Sequence, residues 1–158
     1  MSQPPGTVLI GMRRPETGAV DGQLKEAIES VRRRCDRFVV VESLPYFVQL
    51  MPNHKVLYGE VVSNYFLKEA DHLSGLQIQR LVDLGWGLPG TYCHPACHAP
   101  HPNFTMSWPS TTPSATVARD LLRGLLVASS PRGEGAAAVV ITSGTRVSRP
   151  TDAAVPGH

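Results

Sequence analysis

The sequence predicts an α+β fold: a mainly antiparallel sheet packed against helices, in the order α-β-β-β-α-β-α. Three observations carry this expectation. Three strand-like runs follow one another between Arg37 and Ser63 with no helix between them. Strands grouped in this way, rather than alternating with helices, imply antiparallel pairing with helices laid on the sheet. Three other segments carry apolar residues at three- and four-residue spacing, the pattern of helices with one buried face. Finally, the second and third strands are joined by little more than the Pro52-Asn53 turn, which makes a hairpin the natural connection.

Taken in order, residues 1–20 form an irregular lead-in. Asp21 opens the first helix, with Leu24, Ala27, Ile28, Val31 and Cys35 on one face and Lys25, Glu29 and Arg32 on the other. Arg37 to Glu42 contains Phe38-Val39-Val40-Val41, a continuous run that suits a central strand buried on both faces. Ser43 to Pro45 break it. Tyr46 to Met51 is the second strand and Lys55 to Ser63 the third. Ser74 and Gln77 form a capping-box pattern at the start of the second helix. Leu76, Leu81, Val82 and Leu84 supply its apolar stripe, Gly85 ends it in the C′ position, and Trp86 folds back onto the core. Phe104, Met106 and Trp108 alternate with Thr105 and Ser107, a strand with one apolar face. Thr112-Pro113 gives an N-cap followed by Pro at N1. A third helix then runs to about Ala128 on a stripe of Val117, Leu121, Leu122, Leu125 and Leu126. Residues 21–128 are thus expected to form one domain. From Ser129 the composition turns to Ser, Gly, Ala, Pro and Arg, the mark of a low-complexity, largely disordered tail over 129–158. Within it, Ala136 to Thr142 is open between a last strand and mobile chain.

The 158 residues fit one domain, and an apolar fraction of 42% is enough for a core. A net charge of +2 favours neither nucleic acid nor a membrane surface. The run Arg32-Arg33-Arg34 reads as a solvated helix end near the negative pole of the helix dipole. The longest purely apolar stretch, Ala136 to Ile141, is too short to span a bilayer. Three cysteines, an odd number, and no apolar segment in Met1 to Gly6 point to a reducing, cytoplasmic setting.

Candidate chemistry is sparse. Gly85-Trp86-Gly87-Leu88-Pro89-Gly90 matches a dinucleotide fingerprint in letters, but it ends a helix where the fingerprint should open one. Cys93, His94, Cys97, His98 and His101 place two thiols and three imidazoles in nine residues, a set that suits zinc or copper. All five sit on one proline-stiffened loop, with no second ligand pair elsewhere beyond the single residues Cys35 and His72. The expectation is therefore that they do not converge on a metal and that no cofactor is bound. No nucleophile elbow or catalytic-cysteine signature is present. Glu42 and Glu60 lie in strands, where inward-facing carboxylates are conceivable and a solvated sheet face is the commoner outcome.

Glu60-Val61-Val62-Ser63-Asn64-Tyr65-Phe66-Leu67, Leu84-Gly85-Trp86, Asn103-Phe104 and Trp108-Pro109 together resemble the signatures of the TY-Chap family. These are small domains of high-GC Gram-positive bacteria, named for their likeness to type III secretion chaperones and YbjN proteins. The resemblance covers roughly residues 21–128. It implies a YbjN/secretion-chaperone-like sheet-and-helix fold and a chaperone-like, peptide-binding role without catalytic residues. The expected function is thus a non-enzymatic module that binds another polypeptide, a second copy of itself included. Tyr58, Val62, Tyr65 and Phe66 are the residues expected to receive the partner, by strand addition or in an apolar groove. The two rival readings are a metal-binding regulatory protein using the Cys93–His101 loop and a small enzyme whose site converges only in space.

Overall fold

A computed structural model describes residues 7–8, 17–33, 37–53, 56–90, 101–130 and 140–144. The elements are β1 (Thr7–Val8), α1 (Thr17–Arg32), β2 (Phe38–Ser43), β3 (Tyr46–Asn53), β4 (Val56–Val61), α2 (Gly75–Asp83), β5 (Phe104–Pro109), α3 (Ser114–Ser129) and β6 (Val140–Gly144). All strand pairings are antiparallel, in the spatial order β1-β6-β2-β3-β4-β5. The α+β class and the antiparallel sheet are as the sequence indicates. β2 and β3 are central, and Val39, Val40 and Val41 are all buried. The sheet also draws a strand from each flank of the 21–128 span. β6 settles the open segment as a strand, displaced to Val140–Gly144, where it pairs with β2 and β1.

Directly opposed residues in a ladder share a face, so the register defines two surfaces. Val39, Leu50, Gly59 and Met106 form one row of the first face, with Val41, Val48, Val61 and Phe104 beside it. Helix α3 lies across β3 on this side, reaching β2 and β4, with α1 alongside. Leu24, Ile28 and Val31 of α1 and Val117, Leu121, Leu125 and Ala128 of α3 are buried there. Contact is close at two glycines. A Cβ on Gly59 would lie 2.7 Å from the Trp108 ring, and one on Gly124 would lie 3.0 Å from Val61 and 3.1 Å from Trp86. The two indoles meet edge to face, with centroids 6.0 Å apart, a favoured aromatic geometry. Trp108 is further pinned by its Nε1–H, which donates to Asp120 of α3 at 2.9 Å.

Several local expectations shift. α1 starts four residues earlier than Asp21. Pro113 is the N-cap of α3 rather than its first helical residue, since the amides of Thr116 and Val117 both donate to its carbonyl. The α3 stripe includes Ala118 and Gly124, whereas Leu126 is exposed. The α2 stripe is corrected most: Leu81 is buried, but Leu76, Val82 and Leu84 face solvent. The small residue Gly124 lets Trp86 pack closely onto α3, where it is buried. Arg32 does not hang in solvent. Its guanidinium donates to the carbonyls of Ser110, at 2.8 Å, and Thr112, tying the end of α1 to the β5–α3 connection. No described helix is long and apolar enough to cross a membrane.

Candidate functional site

The site is built by the two segments that leave the sheet at the end of β4 and return at the start of β5. Beyond β4, the chain turns at once. Ser63 Oγ accepts the Tyr65 amide at 3.2 Å and donates to the Pro102 carbonyl at 2.5 Å. Asn64 then clamps Leu73 from both sides, accepting its amide at 2.6 Å and donating to its carbonyl at 3.2 Å. Between them, a 3-10 turn at Glu69–Asp71 is held by the Tyr46 hydroxyl on the Asp71 carbonyl, 3.0 Å, and by His72 Nε2 on the Leu67 carbonyl, 3.1 Å. Leu67 and Leu73 bury themselves, and Tyr65 is left 74% exposed with Phe66 packed edge-on against it, centroids 4.9 Å apart.

Helix α2 forms the next wall. The capping box at its start is complete: Ser74 Oγ accepts the Gln77 amide, 3.2 Å, and Gln77 Oε1 accepts the Ser74 amide, 2.7 Å. The Gln77 Nε2 group also donates to the carbonyls of Val127 and Ala128 at the end of α3, which have no partners within that helix. At the other end of α2, the Gly85 amide donates to Val82 and the Trp86 amide to Leu81. This is a Schellman closure, and Gly85 takes the φ of +104° that it requires. The chain then pairs Gly87 with Thr105 in both directions, 2.7 and 3.1 Å, and the Gly90 amide closes onto the His101 carbonyl at 2.7 Å.

These segments enclose an open groove of about 590 Å³. Ser63, Asn64 and Tyr65 form one wall, Ile78 and Leu88 to Gly90 the second, and His101, Pro102 and Phe104 the third. Its described lining is apolar apart from Ser63, Asn64, His101 and the Tyr65 hydroxyl, and carries no carboxylate, lysine or arginine. His101 Nδ1 lies 2.9 Å from the Tyr58 hydroxyl, with the rings stacked at a tilt.

Of the four residues expected to meet a partner, the structure brings one to the groove. Tyr65 stands at its rim. Phe66 is half-buried against the core, Val62 is fully buried, and Tyr58 is 4% exposed beneath His101. Tyr58 belongs to the row Met51–Tyr58–Ser107, on the sheet face away from α1 and α3. Ile78, Leu88, Pro89 and Pro102 were missed by the sequence reading. Their signal is indirect: a Pro/Gly-rich stretch directly after a helix whose apolar stripe is wider than its buried face.

Among the described residues no group of three or more His, Cys, Asp and Glu side chains is placed to hold a metal. Cys35, Cys93, His94, Cys97 and His98 lie outside the described residues. Of the two hydroxyls in the described lining, that of Ser63 is engaged elsewhere, its Oγ serving Pro102 and Tyr65. Among the described residues, the acid–base groups that burial perturbs lie outside the groove. Burial raises Glu42, and burial together with the charge of Asp71 raises Tyr46. Comparison of the chain with protein-family models, with curated proteins and with solved structures gives no match.

Proposed function

We propose that this chain is a non-enzymatic binding module that seats an apolar segment of another polypeptide in the groove between Tyr65, Leu88 and Pro102. The observation that carries the reading is the groove itself. Its volume lies within the range of binding clefts, its described walls carry no carboxylate, lysine or arginine, and an exposed tyrosine stands at its rim. Tyrosine is an anchor that loses little conformational freedom on binding and contributes both area and a hydroxyl. The resemblance to the TY-Chap family supports the same role.

Seating in the groove is favoured over strand addition at β5. Strand addition needs a row of open backbone groups. At β5 the outward pair of Thr105 is taken by Gly87, and Pro109 has no N–H to offer.

The test is a displayed random-peptide selection against the wild-type chain, with affinities measured again on Tyr65→Ala and Leu88→Ser. Tyr65 is 74% and Leu88 47% exposed, so the melting temperature should move little. Selected peptides should be apolar and bind each variant about tenfold more weakly, the loss of about 1.4 kcal/mol typical of an interface anchor. Peptides that bind both variants as well as the wild type would refute the proposal.

A further inference from the structure

We infer that Asn103 is the positioning residue of the groove and that the buried Glu60 carboxylate acts on the groove through it. This rests on the groove being the binding site. Asn103 is fully buried. Its Oδ1 accepts the Ser63 amide at 2.9 Å, and its Nδ2 donates to Glu60 Oε1 at 2.8 Å. It therefore links the wall that leaves β4 to the wall that enters β5.

Its orientation is fixed by chemistry. The Ser63 N–H only donates, so the amide oxygen must face it and the amide nitrogen faces Glu60 Oε1. A flipped Asn103 would set N–H against N–H at Ser63, and the Glu60 acceptor on the other side holds the amide nitrogen in place. From Ser63 the bonds continue outward, since its hydroxyl accepts the amide of the exposed Tyr65 and donates to Pro102. A chain of hydrogen bonds thus runs Glu60–Asn103–Ser63–Tyr65, from the sheet interior to the groove rim.

Glu60 is otherwise an expensive residue at its position. It is 3% exposed, in a ladder row between Gln49 and Thr105, and among the described residues Asn103 is its one hydrogen-bond donor. Burying a carboxyl group beside one donor opposes folding. In return its Oε1 holds the amide that sets the groove.

The experiment exploits a swap. Asn103→Asp faces two carboxylates with each other. The double variant Glu60→Gln/Asn103→Asp restores the bond with its direction reversed, the new glutamine amide donating to the new aspartate, while the acceptor for Ser63 is kept. Two readouts are followed in the intact chain: exchange of the Ser63 backbone amide, and titration with phenylnaphthylamine, an uncharged apolar dye. Asn103→Asp should speed Ser63 exchange and weaken dye binding about tenfold each, and the double variant should recover both. If Asn103→Asp does not fold, a folded, dye-binding double variant is itself the rescue. Unchanged Ser63 exchange in folded Asn103→Asp, a loss the double variant does not repair, or failure of both variants to fold would overturn the inference. A wild-type chain that takes up no dye, while Ser63 exchange follows the swap, would retire the groove as a binding site and leave the network standing.

Discussion

Both faces of the sheet bury side chains, yet they are closed by different means. The face under α1 and α3 is closed by shape: Gly59 admits the Trp108 ring, Gly124 admits Trp86, and aliphatic side chains fill the rest. The opposite face carries Glu42, Gln49, Tyr58, Glu60 and Thr105 beside Val40 and Phe47. There, polar side chains reach the interior, and some are satisfied while others are not. Asn103 serves Glu60, whereas Gln49, 1% exposed, has no partner for its Nε2 among the described residues. The shape-closed face leaves no room for added atoms, and the polar face tolerates atoms but not lost partners. The groove sits where the second kind of construction meets the surface.

The largest effect tests the shape-closed face. Gly59→Val places branched carbon where even a Cβ would stand 2.7 Å from an indole that Asp120 holds in place. Overpacking of this kind costs about 3 kcal/mol at the upper end of its usual range. Chemical denaturation should show that loss with an unchanged m-value. A loss below about 0.5 kcal/mol would mean that Trp108 yields freely and that this face is not closed by shape.

Much of that face was legible in the sequence, and the groove was not. The Val39-Val40-Val41 run, the 104–106–108 alternation and the Ser74/Gln77 box are local signals, each settled within a few residues. Trp86 folding onto the core follows from Gly85 directly before it. The groove depends on which side of α2 is covered, a question decided by Gly124 and Trp86, some forty residues apart in sequence. Periodicity supplied Leu76, Val82 and Leu84 as candidates for burial but could not say that the available surface was already taken. Tyr58 and Val62 failed to separate from Tyr65 for the same reason, since a run of large apolar residues at a strand end carries no label for which of them stays inside.

Two buried glutamines sharpen the comparison. Gln77 is bonded at both ends of its amide, to Ser74 and to the last carbonyls of α3. Gln49 is as deeply buried, with its amide nitrogen unpartnered among the described residues. Methionine keeps the length of either side chain and removes its polar atoms. Gln77→Met should cost about 2 kcal/mol, half of a capping box plus the partners of two carbonyls. Gln49→Met should stabilise by about 1 kcal/mol, since it removes an unmet desolvation cost. The pair of measurements needs only equilibrium unfolding. Equal losses in both would show that Gln49 is satisfied in solution and that the polar face is more complete than its geometry indicates.

The smallest effect is at Glu42, on the same polar face, opposite Phe47 in β3 and Val140 in β6. Burial raises its pKa above the ordinary 4.5. The native state therefore holds the proton to higher pH than the unfolded chain does. Where the unfolded chain has lost its proton and the native state has not, stability falls as pH rises. The fall begins near the ordinary value, ends once the raised folded value is passed, and leaves a constant penalty above it. Glu42→Gln removes that penalty and keeps the shape. Its gain over the wild type should be absent well below the ordinary carboxylate value, grow through the window just above it, and stay level to neutral pH. The side chain is only half-buried, so solvent screens it and the plateau should be below about 1 kcal/mol. Melting curves of both proteins across that range decide the matter. A gain that is the same on both sides of the window would assign the effect to packing rather than to the charge, and a gain that shrinks with rising pH would mean that Glu42 has a cationic partner holding it ionised.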